Sequence, residues 1–152
     1  MSDQKSKPLR LRAQDMEDLA PLSSLMQDAI VLPSDLKFDA PARRFAIAAN
    51  RFRWEREDKR RGLFGLRERP SRVRTILRFD YVNTVKSRGF DETSALPLNI
   101  LTVTAEPADP HVQILLIFSS GIDIALGCET IDATLDDVSA PWSVDTIPRH
   151  DG

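Results

Sequence analysis

The sequence RVRTILRFDYVNTVKSR, residues Arg72–Arg88, shows the clearest alternation of apolar and polar residues in the chain. Successive side chains of a β-strand point to opposite faces, so a period of two is typical of a strand with one buried face. One side of the predicted strand carries Val73, Leu77, Phe79, Tyr81 and Val85. The other side carries Arg72, Arg74, Arg78, Asp80 and Lys86. The pattern predicts one long antiparallel strand with a wet, basic face.

Shorter apolar or alternating segments, separated by Pro, Gly, Asp and Ser turns, predict further strands on both sides of this one. They are Leu9–Ala13, Ala29–Leu32, Leu36–Phe38, Arg44–Asn50, Leu96–Glu106, Val112–Phe118 and Ile122–Leu126. The segment that contains Ile131 and Leu135 fits either a strand or a short helix. Phe52 and Trp54 have the opposite parity to Phe45 and Ile47, which predicts a β-bulge near Asn50.

One helix precedes these strands, where apolar residues recur from Met16 to Ile30 at helical spacing. Asp15 and Asp18 are both possible N-caps. With Asp18 as the cap, Pro21 stands at the third helical position, where its missing N–H has no helical partner to lose. We therefore predict a short helix from about Leu19 to Gln27.

The chain has 152 residues, of which 41% are hydrophobic and 29% charged, as in a globular domain of ordinary size. The fold class is α+β, mostly β: an antiparallel meander or curled sheet of about seven strands with one N-terminal helix. We expect residues 1–7 to be a flexible N-terminus and residues 8–152 to form a single domain. The only cysteine, Cys128, allows no internal disulfide, and no secretory or membrane-spanning segment is recognisable. We expect a cytoplasmic location.

The charges are unevenly distributed along the chain. Residues 43–78 carry thirteen Lys or Arg against four Asp or Glu, a net charge of +9, so the rest carries −11 of the total of −2. Such a split indicates either a surface for a charged partner or a basic segment that folds against the acidic one. Both interpretations stay open at the level of sequence.

No phosphate-binding loop, nucleophile elbow or zinc-type spacing occurs, so we assign no catalytic residue, metal site or cofactor. His111 lies after a turn and Cys128 follows an apolar strand, where a thiol commonly acts as a small hydrophobe. A group of acidic residues is the alternative to consider as a binding site for a hard cation, since such ions take oxygen ligands. It comprises Glu129, Asp132, Asp136 and Asp137.

Arginines with interleaved aromatic residues make the basic segment the best candidate site. Its residues are Arg51, Arg53, Trp54, Arg72, Arg74 and Arg78, which two paired strands would present together. Arginine and aromatic side chains on a sheet face are how several modules hold single-stranded nucleic acid. The sequence pI of about 5.7 argues against a dedicated nucleic-acid domain. Trp142 is interpreted as a core plug or lid rather than a stacking platform.

Several separate segments resemble a bacterial family, domain of unknown function 2948. They are QDAIV, RRFAIAANRFRWE, RFDYVNTVKSRGF, GIDIALGCETIDATLDDV followed by PW, and PRHD. The resemblance runs from Leu9 to Asp151 and implies a small cytoplasmic protein, without an activity, cofactor or catalytic residue to carry over. The charged stretch Lys59–Pro70 does not correspond clearly to the family pattern.

We therefore favour a non-enzymatic module that binds another macromolecule, most simply a protein, through a basic hairpin or the sheet edge. The first alternative is RNA or single-stranded DNA binding by the same basic face. The second is an enzyme whose site is assembled from scattered residues such as Arg78, Asp123 and Glu129.

Overall fold

The computed structural model describes residues 8–53 and 71–143. Within these residues one α-helix and eleven strands follow one another along the chain. They are β1 (Arg10–Ala13), α1 (Met16–Met26), β2 (Ile30–Val31), β3 (Leu36–Asp39), β4 (Arg44–Phe52), β5 (Ser71–Asp80), β6 (Val82–Arg88), β7 (Leu98–Ala108), β8 (His111–Phe118), β9 (Asp123–Cys128), β10 (Ala133–Asp137) and β11 (Trp142–Ser143). The predicted mostly β, α+β class is confirmed. There are more strands than about seven because several are only two to four residues long.

All strand pairs of this sheet are antiparallel. The hydrogen-bonded order is β1-β10-β5-β4-β2-β7-β8-β9-β6, with β11 beside β5 and β3 beside β4. Within the described residues β1 and β6 stand at the two ends of this order, so the sheet is open. The apolar segments from Leu96 to Leu126 form β7, β8 and β9 as predicted, and the ambiguous segment that contains Leu135 is the strand β10.

The alternation in β5 is confirmed, but the prediction of one strand over Arg72–Arg88 is wrong. Val73, Leu77 and Phe79 are buried, and the strand ends at Asp80. Tyr81 has a φ of 62°, a left-handed conformation that no strand residue adopts and that a non-glycine side chain rarely adopts. The chain turns there into β6, which pairs with β9 instead of continuing beside β4 and β10.

The helix starts at Met16, three residues before the predicted start, because Asp15 is its cap. The Asp15 Oδ1 atom accepts a hydrogen bond from the Asp18 backbone N–H at 2.8 Å. Asp18 is thereby placed in the first turn, where a carboxylate also complements the helix dipole. Pro21 lies inside the helix. The cap and the burial of Leu22 outweigh the one helical hydrogen bond that this proline removes.

The helix lies over the inner face of the sheet and closes the core. Leu19, Leu22 and Met26 are buried there together with the inward residues of the strands. The Ser23 hydroxyl accepts a hydrogen bond from the Val103 N–H at 2.9 Å, which ties α1 to β7.

The predicted bulge near Asn50 is absent, and β4 keeps its register with β5 through Phe52. Arg51 therefore points into the interior, where its side chain has no exposure, and Phe52 lies on the outer face with Arg72. The bulge was predicted near Asn50 and Arg51 because Phe52 and Trp54 have the opposite parity to Phe45 and Ile47. The interior accepts Arg51 because Asp137 is buried opposite it and binds it at 2.9 Å.

Candidate binding surface

The outer side of the sheet presents the arginines of β5 in a row. Their positions alternate with the buried residues of the strand, so Arg72, Arg74 and Arg78 share one face. The register places Phe52 and Asn50 of β4 directly opposite Arg72 and Arg74. We call this surface the arginine face and define it by Arg72, Arg74 and Arg78 with their outward neighbours on β1, β4, β10 and β11.

The structure separates the residues that sequence reasoning had grouped as a site. Arg72, Arg74 and Arg78 do lie together on the arginine face. Arg51 lies in the interior and is no part of it. Arg53 follows β4, and its backbone N–H donates to the Ser71 carbonyl at 3.0 Å. Trp54 and the charged stretch up to Pro70 lie outside the described residues.

Most described arginines bind a carboxylate of the same chain. The pairs are Arg10–Asp136, Arg12–Asp132, Arg43–Glu129, Arg44–Asp80, Arg51–Asp137, Arg74–Asp35, Arg78–Asp80 and Arg88–Asp123, with N–O distances of 2.8 to 3.4 Å. Two of these pairs, those of Arg43 and Arg51, join the basic segment to the acidic end of the chain. Within the described residues, five of the seven arginines of the basic segment thus bind a carboxylate of the same chain.

The same pairing explains what the C-terminal acids do. Each of the four acidic residues considered as cation ligands binds an arginine. Arg12 donates two hydrogen bonds to the Asp132 carboxylate, at 3.0 and 3.1 Å. Arg43 holds the pKa of Glu129 below its ordinary value, chiefly by hydrogen bonding. No group of three or more metal-ligating side chains occurs in the described ranges 8–53 and 71–143.

A polar groove of about 440 Å³ runs between β1, β10 and β5 at one end of the arginine face. Arg10, Arg12 and Arg78 line it together with Asp80 and Asp132. Asp80 accepts hydrogen bonds from Arg78 at 3.2 Å and from Arg44 at 2.9 Å. Positive and negative groups therefore alternate along this end of the surface, and neither sign dominates.

The other end of the arginine face has a different character. The guanidinium carbon of Arg72 lies 4.0 Å from the centroid of the Phe52 ring, within the range of a cation–π contact. Trp142 of β11 is directly opposite Arg72 in the register on the other side. Burial lowers the pKa of Arg72. No described residue accepts a hydrogen bond from the Arg72 Nε or from the Trp142 Nε1, although both atoms are buried.

The scattered enzyme site is not assembled by the fold. Arg78 lines the polar groove, Glu129 binds Arg43 beyond the end of β9, and Asp123 binds Arg88 at the start of β9. These three side chains therefore belong to three different ion pairs. Cys128 is buried, and burial raises the pKa of its thiol to about 11, which disfavours the nucleophilic thiolate.

Sequence reasoning missed the row formed by Phe52, Arg72 and Trp142, because it assigned Phe52 to a bulged strand and Trp142 to a plug or lid. The even spacing between Arg44 and Phe52 was the available signal for Phe52. The pairing of β11 with β5 spans about 70 residues of sequence, and no local pattern announces it.

The fold and the surface together define an α+β protein with an open antiparallel sheet and an outer face on which arginines lie among carboxylates. The chain belongs to the family described as protein of unknown function DUF2948, whose model matches residues 9–150. A comparison with curated proteins finds no match. A comparison with solved structures finds none either. No helix in the described part of the chain is long and apolar enough to cross a membrane.

Proposed function

We propose that this protein is a non-enzymatic binding module whose arginine face receives another protein. The observation that carries the proposal is the outward row of Arg72, Arg74 and Arg78 on one strand. Arginine is enriched at protein interfaces and at their energetic centres, because its planar group both stacks and donates several hydrogen bonds. Arg72 combines these properties, since it stacks on Phe52 and holds unused donors.

The distribution of charge favours a protein over a nucleic acid as the partner. Asp80 and Asp136 lie among the arginines of the same face, and Asp35 binds Arg74 at 3.4 Å. A nucleic-acid backbone repeats one negative charge, so these carboxylates would repel it. A protein surface offers both signs and can match a mixed pattern.

The test is an affinity capture with the purified full chain and native lysate of the cells that produce it. Wild type is compared with Arg72→Ala/Arg74→Ala and with a matched control, Lys86→Ala/Arg88→Ala. The control removes two positive charges from β6, at the far end of the sheet order.

We expect one partner to be retained by wild type and by the control, and to be lost with the Arg72 and Arg74 variant. Absence of any partner at both low and physiological salt would contradict the proposal. Equal retention by all three proteins would contradict it as well.

Single-stranded RNA binding is a second candidate, favoured by one observation. Phe52 lies on the same side as the arginines and not in the core, so an aromatic ring and cations share one surface. This candidate predicts binding of labelled single-stranded RNA that falls steeply with salt and weakens in the Arg72 and Arg74 variant. Undetectable binding at low salt would remove it.

A further inference from the structure

Arg72 differs from the other arginines of the arginine face in having no described carboxylate partner. Arg74 binds Asp35 and Arg78 binds Asp80. Arg72 makes no ion pair or hydrogen bond to any described side chain, and its Nε is buried without an acceptor. A buried polar atom normally has a hydrogen-bond partner, so the surroundings of this Nε are incomplete.

A second unused donor lies next to the first. Trp142 is directly opposite Arg72, and directly opposite residues of an antiparallel pair have side chains in contact range on one face. The indole Nε1 of Trp142 is also buried and has no acceptor among the described residues. A buried indole N–H usually has a partner. Two donors without described acceptors therefore lie at the same register position on neighbouring strands.

The ring of Phe52 limits where such an acceptor can lie. The guanidinium stacks on this ring at 4.0 Å, so one face of the planar cation is covered. Hydrogen bonds from a guanidinium lie in its plane. Phe52 therefore covers Arg72 on the β4 side, and the register places Trp142 on the opposite side of Arg72, on β11.

We propose that Phe52, Arg72 and Trp142 form a subsite for the carboxylate of an Asp or Glu side chain on the partner protein. One carboxylate accepts from the terminal nitrogens of Arg72 and, as the side chains turn outward on binding, from the Trp142 indole. Its single charge balances the single charge of Arg72. The inference deepens the proposed function and rests on it, because the carboxylate is supplied by the partner.

The charge of the site favours a carboxylate over a phosphate. A phosphate monoester carries about −1.5 to −2 at neutral pH, which one arginine does not balance. Arg74, the next arginine along the strand, already holds Asp35 and the Asn50 side-chain oxygen. The Asp35 carboxylate beside it would repel a dianion more strongly than a monoanion.

The test follows the indole N–H resonance of Trp142 in the ¹⁵N-labelled full chain. The chain has two tryptophans, and Trp142→Phe identifies which of the two signals belongs to Trp142. The probes are a triglutamate peptide, a triglutamine peptide of equal length and inorganic phosphate, all at constant ionic strength. Both peptides are acetylated at the N-terminus and amidated at the C-terminus, so that only the glutamate side chains carry carboxylates.

We expect triglutamate to shift this resonance downfield in a saturable way and triglutamine to leave it unchanged. The apparent affinity falls at least fivefold in Arg72→Gln and less than twofold in the control Lys86→Gln, which removes a positive charge from β6. Equal shifts with both peptides, an unchanged titration in Arg72→Gln, or tighter binding of phosphate than of triglutamate would each overturn the inference. If Arg72→Gln does not fold, the comparison of the two peptides on wild type decides alone.

This titration uses no macromolecular partner, so its failure is distinguishable from failure of the proposed function. Partner capture without a triglutamate response would remove the carboxylate subsite and leave the binding module. A saturable triglutamate response without partner capture would remove the binding module and leave an anion subsite.

Discussion

The buried pair Arg51–Asp137 gives the sharpest prediction about stability. Arg51 donates to both carboxylate oxygens of Asp137, at 3.0 and 2.9 Å, and also to the Phe52 carbonyl at 3.0 Å. Asp137 further accepts from the Leu9 N–H at 3.2 Å. The two side chains are 0% and 5% exposed. Replacing Asp137 by Asn keeps the shape but removes the carboxylate charge that the buried Arg51 binds.

Breaking a buried pair by removing one partner costs about 3–5 kcal/mol. The amide introduced by Asp137→Asn still accepts one hydrogen bond, so we expect the lower end, about 3 kcal/mol. At roughly 2–4 °C per kcal/mol for a protein of this size, Asp137→Asn lowers the Tm by about 6–12 °C. Urea unfolding followed by circular dichroism measures the loss.

The double variant Arg51→Met/Asp137→Leu is the matched comparison, because it removes both charges together. We expect it to be more stable than Asp137→Asn, since no unpaired charge remains inside. A loss below about 1 kcal/mol in Asp137→Asn would refute the reasoning. A double variant less stable than the single one would refute it too.

Three further predictions concern the cap, the β6–β9 contact and the thiol. Asp15→Ala removes the helix cap and should cost about 0.5–2 kcal/mol in urea unfolding, whereas equal stability would show that Asp15 is not the cap. Gly127→Ala places a new methyl group against the Thr84 hydroxyl oxygen, so we expect a lower Tm that Thr84→Ala restores, and an unchanged Tm would refute the contact. Because the Cys128 pKa is raised by burial from its ordinary value of 9.0 to about 11, the folded state keeps its proton longer than the unfolded state. The stability contributed by the neutral thiol is therefore lost as the pH rises from about 9 to about 11. Iodoacetamide labelling of Cys128 at pH 8 should be much slower in the native chain than in the urea-unfolded chain. Equal labelling rates would contradict this prediction.

The strands of this fold were predictable where their pattern depends on one buried face. β5 keeps an alternation of apolar and polar residues, and its position follows from it directly. β8 is apolar on both parities and was predicted as a short apolar run between turns. The end of β5 at Asp80 was not predictable from the sequence. Asp80 continues the polar side of the alternating pattern and Tyr81 continues its apolar side, so both residues fit a longer strand. The strand ends there because Tyr81, the residue between β5 and β6, has a positive φ.

The position of the arginines was predictable only in part. Alternation within β5 placed Arg72, Arg74 and Arg78 on one face, as the structure has them. Arg51 was misplaced because charge alone argues for exposure, and its counterion Asp137 is 86 residues away in sequence. Long-range pairing of this kind leaves no trace in local periodicity.

The central claim is that the arginine face binds a protein partner through Arg72 and Arg74. Its most direct test is isothermal titration calorimetry of the captured partner against wild type, Arg72→Ala/Arg74→Ala and Lys86→Ala/Arg88→Ala. Central interface residues cost about 2 kcal/mol or more when truncated, so Kd should rise by roughly 30-fold or more in the first variant. It should stay within about twofold of wild type in the Lys86→Ala/Arg88→Ala variant, because β6 pairs with β9 and contributes no residue to the arginine face. Equal affinities for wild type and the Arg72 and Arg74 variant would contradict the account.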